Sequence, residues 1–140
     1  INGYRPDEVA LMELTTQNIL DLQKAGAFTT IYRKYTSPSF QQHIRLDQFQ
    51  QLSDCVVNHL GPTQSANIGT MQIQHITTNG AHHGYELVKL RVNHASGPVD
   101  VEIGYVRDGL DYRIQRWDWL SRNAEFHDCI KTTLTPAITP

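Results

Sequence analysis

Three side chains that can exchange protons or donate hydrogen bonds, His75, Tyr105 and Asp118, fall in stretches whose period-two alternation predicts β-strands. Strand side chains point alternately to the two faces, so Tyr105 shares a face with Ile103. By the same alternation Asp118 shares a face with Ile114, and His75 lies on the apolar face of its own strand. If these faces point inward, the three side chains converge. The alternative is a core tyrosine with its hydroxyl at the rim and a solvated aspartate.

The run Arg116, Trp117, Asp118, Trp119 places two tryptophans on one face of the last predicted strand. Strict alternation puts that face opposite Ile114, on the outer side of the sheet. Two large aromatic rings on one face must be covered by something. We therefore expect either packing against the C-terminal residues or an interface, carried by Arg116, Trp117 and Trp119, with a protein partner or a second copy.

The two cysteines of the chain, Cys55 and Cys129, are far apart in sequence. A disulfide between them would close a long loop and stabilise the fold by roughly 4 kcal/mol. The alternative is two unrelated buried thiols, because free cysteine behaves as a small apolar residue. We predict the disulfide, and the scarcity of lysine beside many Gln, Thr and Asn residues fits an exported, periplasmic bacterial protein.

The signatures of common cofactor and nucleophile sites do not occur in this sequence. There is no P-loop, dinucleotide-binding glycine motif, HExxH, CxxC or GxSxG, and no cofactor is predicted. His82 and His83 are adjacent on a predicted turn, where neighbouring side chains point in different directions, and no carboxylate or thiol lies at ligand spacing. We predict a solvated turn and no metal site.

Composition narrows the class of protein. The 140 residues carry a net charge of -2, with 39% hydrophobic and 19% charged residues, as expected for one globular domain. The twelve Lys and Arg residues are spread among fourteen Asp and Glu residues, which disfavours nucleic-acid binding. No apolar run is long enough to span a membrane. Because the chain begins with Ile1, we expect that a signal peptide, a membrane anchor or another domain precedes it.

Helical periodicity occupies the first half of the chain. It predicts a helix at roughly 7–25, a short helix from Phe28 to Tyr35, and a third helix that has Asp47 as its N-cap and ends at Gly61 and Pro62. Ser37-Pro38-Ser39 is predicted as a turn between the second and third helices.

After Pro62 the periodicity changes to two. Strands are predicted at 66–78, 85–94, 99–107 and 112–120, with a hairpin turn at Asp108-Gly109. The predicted class is α+β, with three N-terminal helices packed on a four-stranded antiparallel sheet. Residues 1–120 form the predicted domain, and 121–140 a C-terminal tail that Cys129 fastens to it.

This order of elements resembles the nuclear transport factor 2-like superfamily over roughly residues 7–120. Three stretches are similar to an exported bacterial family of unknown function within it: Leu22-Gln23-Lys24-Ala25-Gly26-Ala27-Phe28, then Tyr35-Thr36-Ser37-Pro38-Ser39-Phe40 followed by Leu46-Asp47-Gln48-Phe49, and Leu60-Gly61-Pro62. The resemblance implies a curved sheet that wraps a helix and leaves a conical cavity.

The resemblance implies two functions. One is a non-catalytic exported domain that binds a protein partner or helps to assemble an envelope complex, or that dimerises through the outer sheet face. The other is a cofactor-independent isomerase, cyclase or dehydratase, or a hydrophobic-ligand binder, that works in the cavity. There Asp118 would be the base, or would orient His75, and Tyr105 would donate to an oxyanion. Phe28, Tyr32 and Phe40 are bulky enough to fill that cavity.

Overall fold

The computed structural model describes residues 3–77 and 84–135, and it has the predicted α+β class. Its helices are α1 Pro6–Lys24, α2 Phe28–Tyr35, α3 Pro38–His43, α4 Leu46–His59 and α5 Ala124–Leu134. Its strands are β1 Thr63–Ala66, β2 Gln72–Ile76, β3 Tyr85–His94, β4 Gly97–Asp108 and β5 Asp111–Leu120. The turn predicted to hold His82 and His83 lies outside the described residues.

The strands form one curved antiparallel sheet in the order β1-β3-β4-β5, with β2 also paired to β3. The sheet has five described strands where four were predicted. The predicted strand 66–78 is two strands, because the Asn67 side chain accepts a hydrogen bond from the Gly69 N–H and starts a 3-10 turn. After this turn the chain returns to β3 at a different place, so β1 and β2 pair with opposite ends of β3.

Four helices precede the sheet where three were predicted. The predicted turn at Ser37 starts α3, because the Ser37 hydroxyl accepts from the Phe40 N–H at 3.0 Å and Pro38 suits the first helical position. The next helix, α4, begins at Leu46 with Arg45 as its N-cap, two residues before the predicted cap Asp47. Both helices place aromatic side chains against the sheet.

A bulge interrupts the pairing of β4 with β5. Tyr105 lies opposite Ile114, but Gly104 lies opposite Arg116, so Gln115 has no partner on β4. The Gln115 side chain is held instead by the Ser37 and Ser39 hydroxyls, at 2.7 and 3.0 Å. One extra residue inverts the alternation beyond it. Trp117 and Trp119 therefore share the inner face with Ile114, and Asp118 lies on the outer face.

The segment predicted as a tail folds as α5 over most of its described length. The Asn123 side chain caps the Phe126 N–H at 3.0 Å, and Phe126 is buried. The predicted disulfide between Cys55 and Cys129 is confirmed, with the two Cα atoms 5.8 Å apart. It joins α5 to α4, so α5 becomes part of the layer of helices on the inner face.

The core lies between this helical layer and the inner face of the sheet, an arrangement compatible with a cone-like fold. The predicted filling of the interior by aromatic rings is observed for Tyr32 and Phe40, which pack against Phe49. None of the helices within 3–77 and 84–135 has the length and apolar character needed to cross a bilayer.

Candidate functional site

The structure does not bring His75, Tyr105 and Asp118 together. Tyr105 is 0% exposed, and its hydroxyl makes a 2.8 Å hydrogen bond with the Thr16 hydroxyl of α1. Burial raises the pKa of Tyr105 far above its usual value. This tyrosine is a core residue, as the alternative predicted, but its hydroxyl is buried against α1 and does not lie at the rim.

The predicted inward position of Asp118 is wrong because of the bulge at Gln115. Its carboxylate forms an ion pair with Arg116 on the outer face, and its side chain is 40% exposed. It stands on the opposite side of the sheet from Tyr105, so the two cannot act on one ligand.

His75 is oriented by a carboxylate, but by Glu86 on β3 and not by Asp118. Its Nδ1 lies 2.9 Å from the nearer Glu86 oxygen, and the Tyr4 hydroxyl donates to the same carboxylate at 2.8 Å. Burial, followed by the bond to Glu86, raises the pKa of Tyr4. The sequence signal for Glu86 was weak, because no local pattern fixes the register of β2 against β3.

This network faces a cleft of about 1480 Å³ at one end of the sheet, which also has Arg107 and Tyr112 in its wall. The Arg107 guanidinium lies over the Tyr112 ring, 4.8 Å from its centroid. The His75 side chain is 56% exposed, so the ring is in contact with bulk water. The cleft can present polar groups to a ligand, but it does not exclude water from them.

A second concavity, of about 620 Å³, is more apolar in its walls. One wall is six consecutive residues of β5, 115–120. The other walls are formed by α3 and its C-cap Ile44, by α4 and by α5. The lining residues from these elements are Ser39, Phe40, His43, Ile44, Phe49, Leu52, Phe126, His127, Ile130 and Leu134. We call this concavity the Trp groove, because both tryptophans of the chain line it.

The two tryptophans link the groove to the core. Their rings are stacked with centroids 4.8 Å apart, and Trp117 contacts Phe49 while Trp119 contacts Phe126. The predicted position on the outer face is therefore wrong for both residues. The expected alternative, packing against the C-terminal residues, is observed through Phe126 of α5. A homodimer through the outer face loses the aromatic residues on which that prediction depended.

Both indole N–H groups are shielded from solvent and have no hydrogen-bond acceptor among residues 3–77 and 84–135. Buried indole nitrogens usually have an acceptor. Because neither nitrogen is exposed to solvent, these N–H groups are not open to a ligand in the groove.

The groove follows the free edge of the sheet. β5 is the terminal strand, and it meets a further segment only at its start, where Thr36 pairs with Ile114 and the Ser37 N–H donates to the Ile114 carbonyl at 2.9 Å. The chain then turns into α3 at Pro38. In the described part of the protein, the edge of β5 that faces away from β4 has no strand paired with it from Gln115 onward.

Within the described ranges, no three His, Cys, Asp or Glu side chains gather to hold a metal ion. Comparison of the chain with protein-family models, with curated proteins and with solved structures returned no match. The function is therefore inferred from the geometry of the groove and the cleft.

Proposed function

We propose that this protein is a non-catalytic binding domain that holds an apolar part of a partner in the Trp groove. The carrying observation is one concavity of about 620 Å³ whose lining includes both tryptophans together with other aromatic and aliphatic side chains. Ligand sites are typically ~300–1,000 Å³, mostly apolar, with a few polar groups that set orientation.

The separation of the acid–base side chains supports binding over catalysis. Tyr105 is bonded to Thr16 inside the core, and Asp118 lies on the outer face. Catalysis by proton transfer needs donor and acceptor within hydrogen-bond reach of one substrate. His75 and Glu86 meet that condition, in a cleft open to water.

Export to an oxidising compartment, such as the bacterial periplasm, belongs to this proposal. Its support is the disulfide between Cys55 and Cys129, because such bridges persist outside the reducing cytosol. The helices packed on an antiparallel sheet also fit the nuclear transport factor 2-like resemblance. A binding domain of an envelope complex agrees with both features.

The test uses the protein's own fluorescence. Both tryptophans line the groove, so their emission reports its occupancy directly. We expect the apolar dye 8-anilinonaphthalene-1-sulfonate to bind saturably at one site and to quench them. Leu134→Gln, at the groove, should weaken binding about fivefold, from the loss of ~1 kcal/mol of apolar contact.

The matched control is Leu14→Gln. Leu14 is also an exposed helical leucine, at 58% against 41% for Leu134, but it lies on α1 and is not part of the groove. The affinity of the Leu14→Gln variant for the dye should equal that of the unmodified protein. Equal weakening by both substitutions, or dye binding without saturation, would contradict the proposed function.

A further inference from the structure

We propose that the occupant of the Trp groove is an extended polypeptide segment of a partner protein, which adds to the edge of β5 as a further strand. This inference depends on the proposed function and specifies its partner. It is carried by the position of the groove relative to the backbone of β5.

The lining of the Trp groove along β5 is continuous. Residues 115–120 all line the groove, although consecutive strand residues point to opposite faces. A concavity lying on one face would touch alternate residues, whereas one lying along the edge touches all of them. The groove therefore exposes the backbone N–H and C=O groups of the strand over about 20 Å, at ~3.3 Å per residue.

Strand-like pairing with this edge already exists within the chain. Thr36 pairs in parallel with Ile114, and the Ser37 N–H donates to the Ile114 carbonyl. The pairing stops because Pro38 and the Ser37 cap turn the chain into α3. A partner segment would continue along β5 from the place where this chain leaves it. Addition of a strand to a free edge is a common mode of peptide recognition.

The side chains on the two faces of β5 indicate which kind of segment would pair with it. Trp117 and Trp119 lie on the same face, two residues apart, so a paired segment would place every second side chain against them. On the other face, Arg116 and Asp118 neutralise each other. The structure thus favours a segment with alternating apolar and uncharged polar residues.

The geometry favours a single strand over a second copy of this chain. Phe40 of α3 and Phe126 and Ile130 of α5 line the groove together with β5. A neighbouring strand lies ~4.8 Å away, which one isolated segment can occupy. The β5 edge of a second copy would bring its own α3 and α5 into the same space.

The experiment selects binders from a displayed library of random ten-residue peptides and then titrates the most enriched peptide into the intact protein. We expect enrichment of alternating apolar residues, a tryptophan fluorescence change, and at least tenfold slower hydrogen exchange at amides within 116–120. Methylation of every second backbone nitrogen of that peptide, on the edge that would face β5, should weaken binding at least tenfold. Methylation on the opposite edge is the matched control and should leave it unchanged.

Any of the following results would overturn the proposed strand addition. Equal affinity of both methylated peptides, enrichment without alternation, or no enriched peptide would mean that no strand is added. If the dye still binds in a Leu134-dependent manner, the proposed function survives that failure. If neither dye nor peptide binds, both fail. Protection of the same amides by concentration-dependent dimerisation of the protein alone would assign the edge to a second copy.

Discussion

Removing the disulfide is the sharpest test of how α5 is held over the groove. The bridge joins cysteines 74 positions apart, and a closed loop of that length contributes about 4.5 kcal/mol to the free energy of unfolding in the chain-entropy model. Cys55→Ala/Cys129→Ala removes this constraint with little change of volume. We expect the double variant to lose about 4 kcal/mol of unfolding free energy at 25 °C.

Urea denaturation followed by tryptophan fluorescence measures this loss. With an m value of ~2 kcal/mol/M, the midpoint should fall by about 2 M. A reductant should lower the midpoint of the unmodified protein by a similar amount and leave that of the variant unchanged. The reductant arm controls for any effect of the alanines themselves.

The position of the two tryptophans allows a second measurement in the same experiment. Trp119 contacts Phe126 of α5, so separation of α5 changes fluorescence even if the sheet stays intact. We expect the fluorescence transition of the variant to precede the transition in far-ultraviolet circular dichroism. A midpoint shift below about 0.5 M, or two thiols that react in the native protein before reduction, would refute the reasoning.

Three further outcomes follow from buried polar groups. Thr16→Val should cost about 1–3 kcal/mol by leaving the Tyr105 hydroxyl unpaired, and adding Tyr105→Phe should recover part of that loss, measured by urea denaturation. Gln115→Leu removes the hydrogen bonds that hold the bulge and should lower the melting temperature, with a lowered dye affinity as the groove wall shifts; unchanged values for both would count against the role of Gln115. Burial, partly offset by the bond to the Gly61 carbonyl, lowers the pKa of His94, so the folded protein resists a proton that the unfolded chain accepts near pH ~6.5. Stability from this group is present above that pH and is lost as the pH falls toward the folded-state pKa. His94→Gln should therefore show a smaller drop in unfolding free energy between pH 7.5 and 5.5, and an equal drop in both proteins would contradict this.

Local signals in the sequence were sufficient for several elements. For α1, the proline at the start and Gly26 after the end predict both bounds to within one residue, because both residues act through their own backbone conformation. Alternation identified β3 and β4, since both strands have one face fully buried. The signals for α3 and α5 were also present, at Ser37 and Asn123, but a capping serine beside a proline also fits a turn.

The face to which Trp117 and Trp119 belong could not be obtained in this way. A period-two pattern carries no mark of the residue that is left out of the pairing, and the bulge exists because Ser37 and Ser39, distant in sequence, hold the Gln115 side chain. The same displacement moved Asp118 to the outer face. The pairing of His75 with Glu86 likewise depends on a register that no local signal sets.

The sequence by itself determined the α+β class, the bounds of α1, α2, β3, β4 and β5 to within two residues, and the pair of cysteines, because helix periodicity, alternation and turn residues act over a few positions. The tertiary structure alone decided that the tryptophans line a groove along a free strand edge. That outcome depends on contacts between α3, β5 and α5, which lie far apart along the chain and meet only when the sheet and its helices pack together.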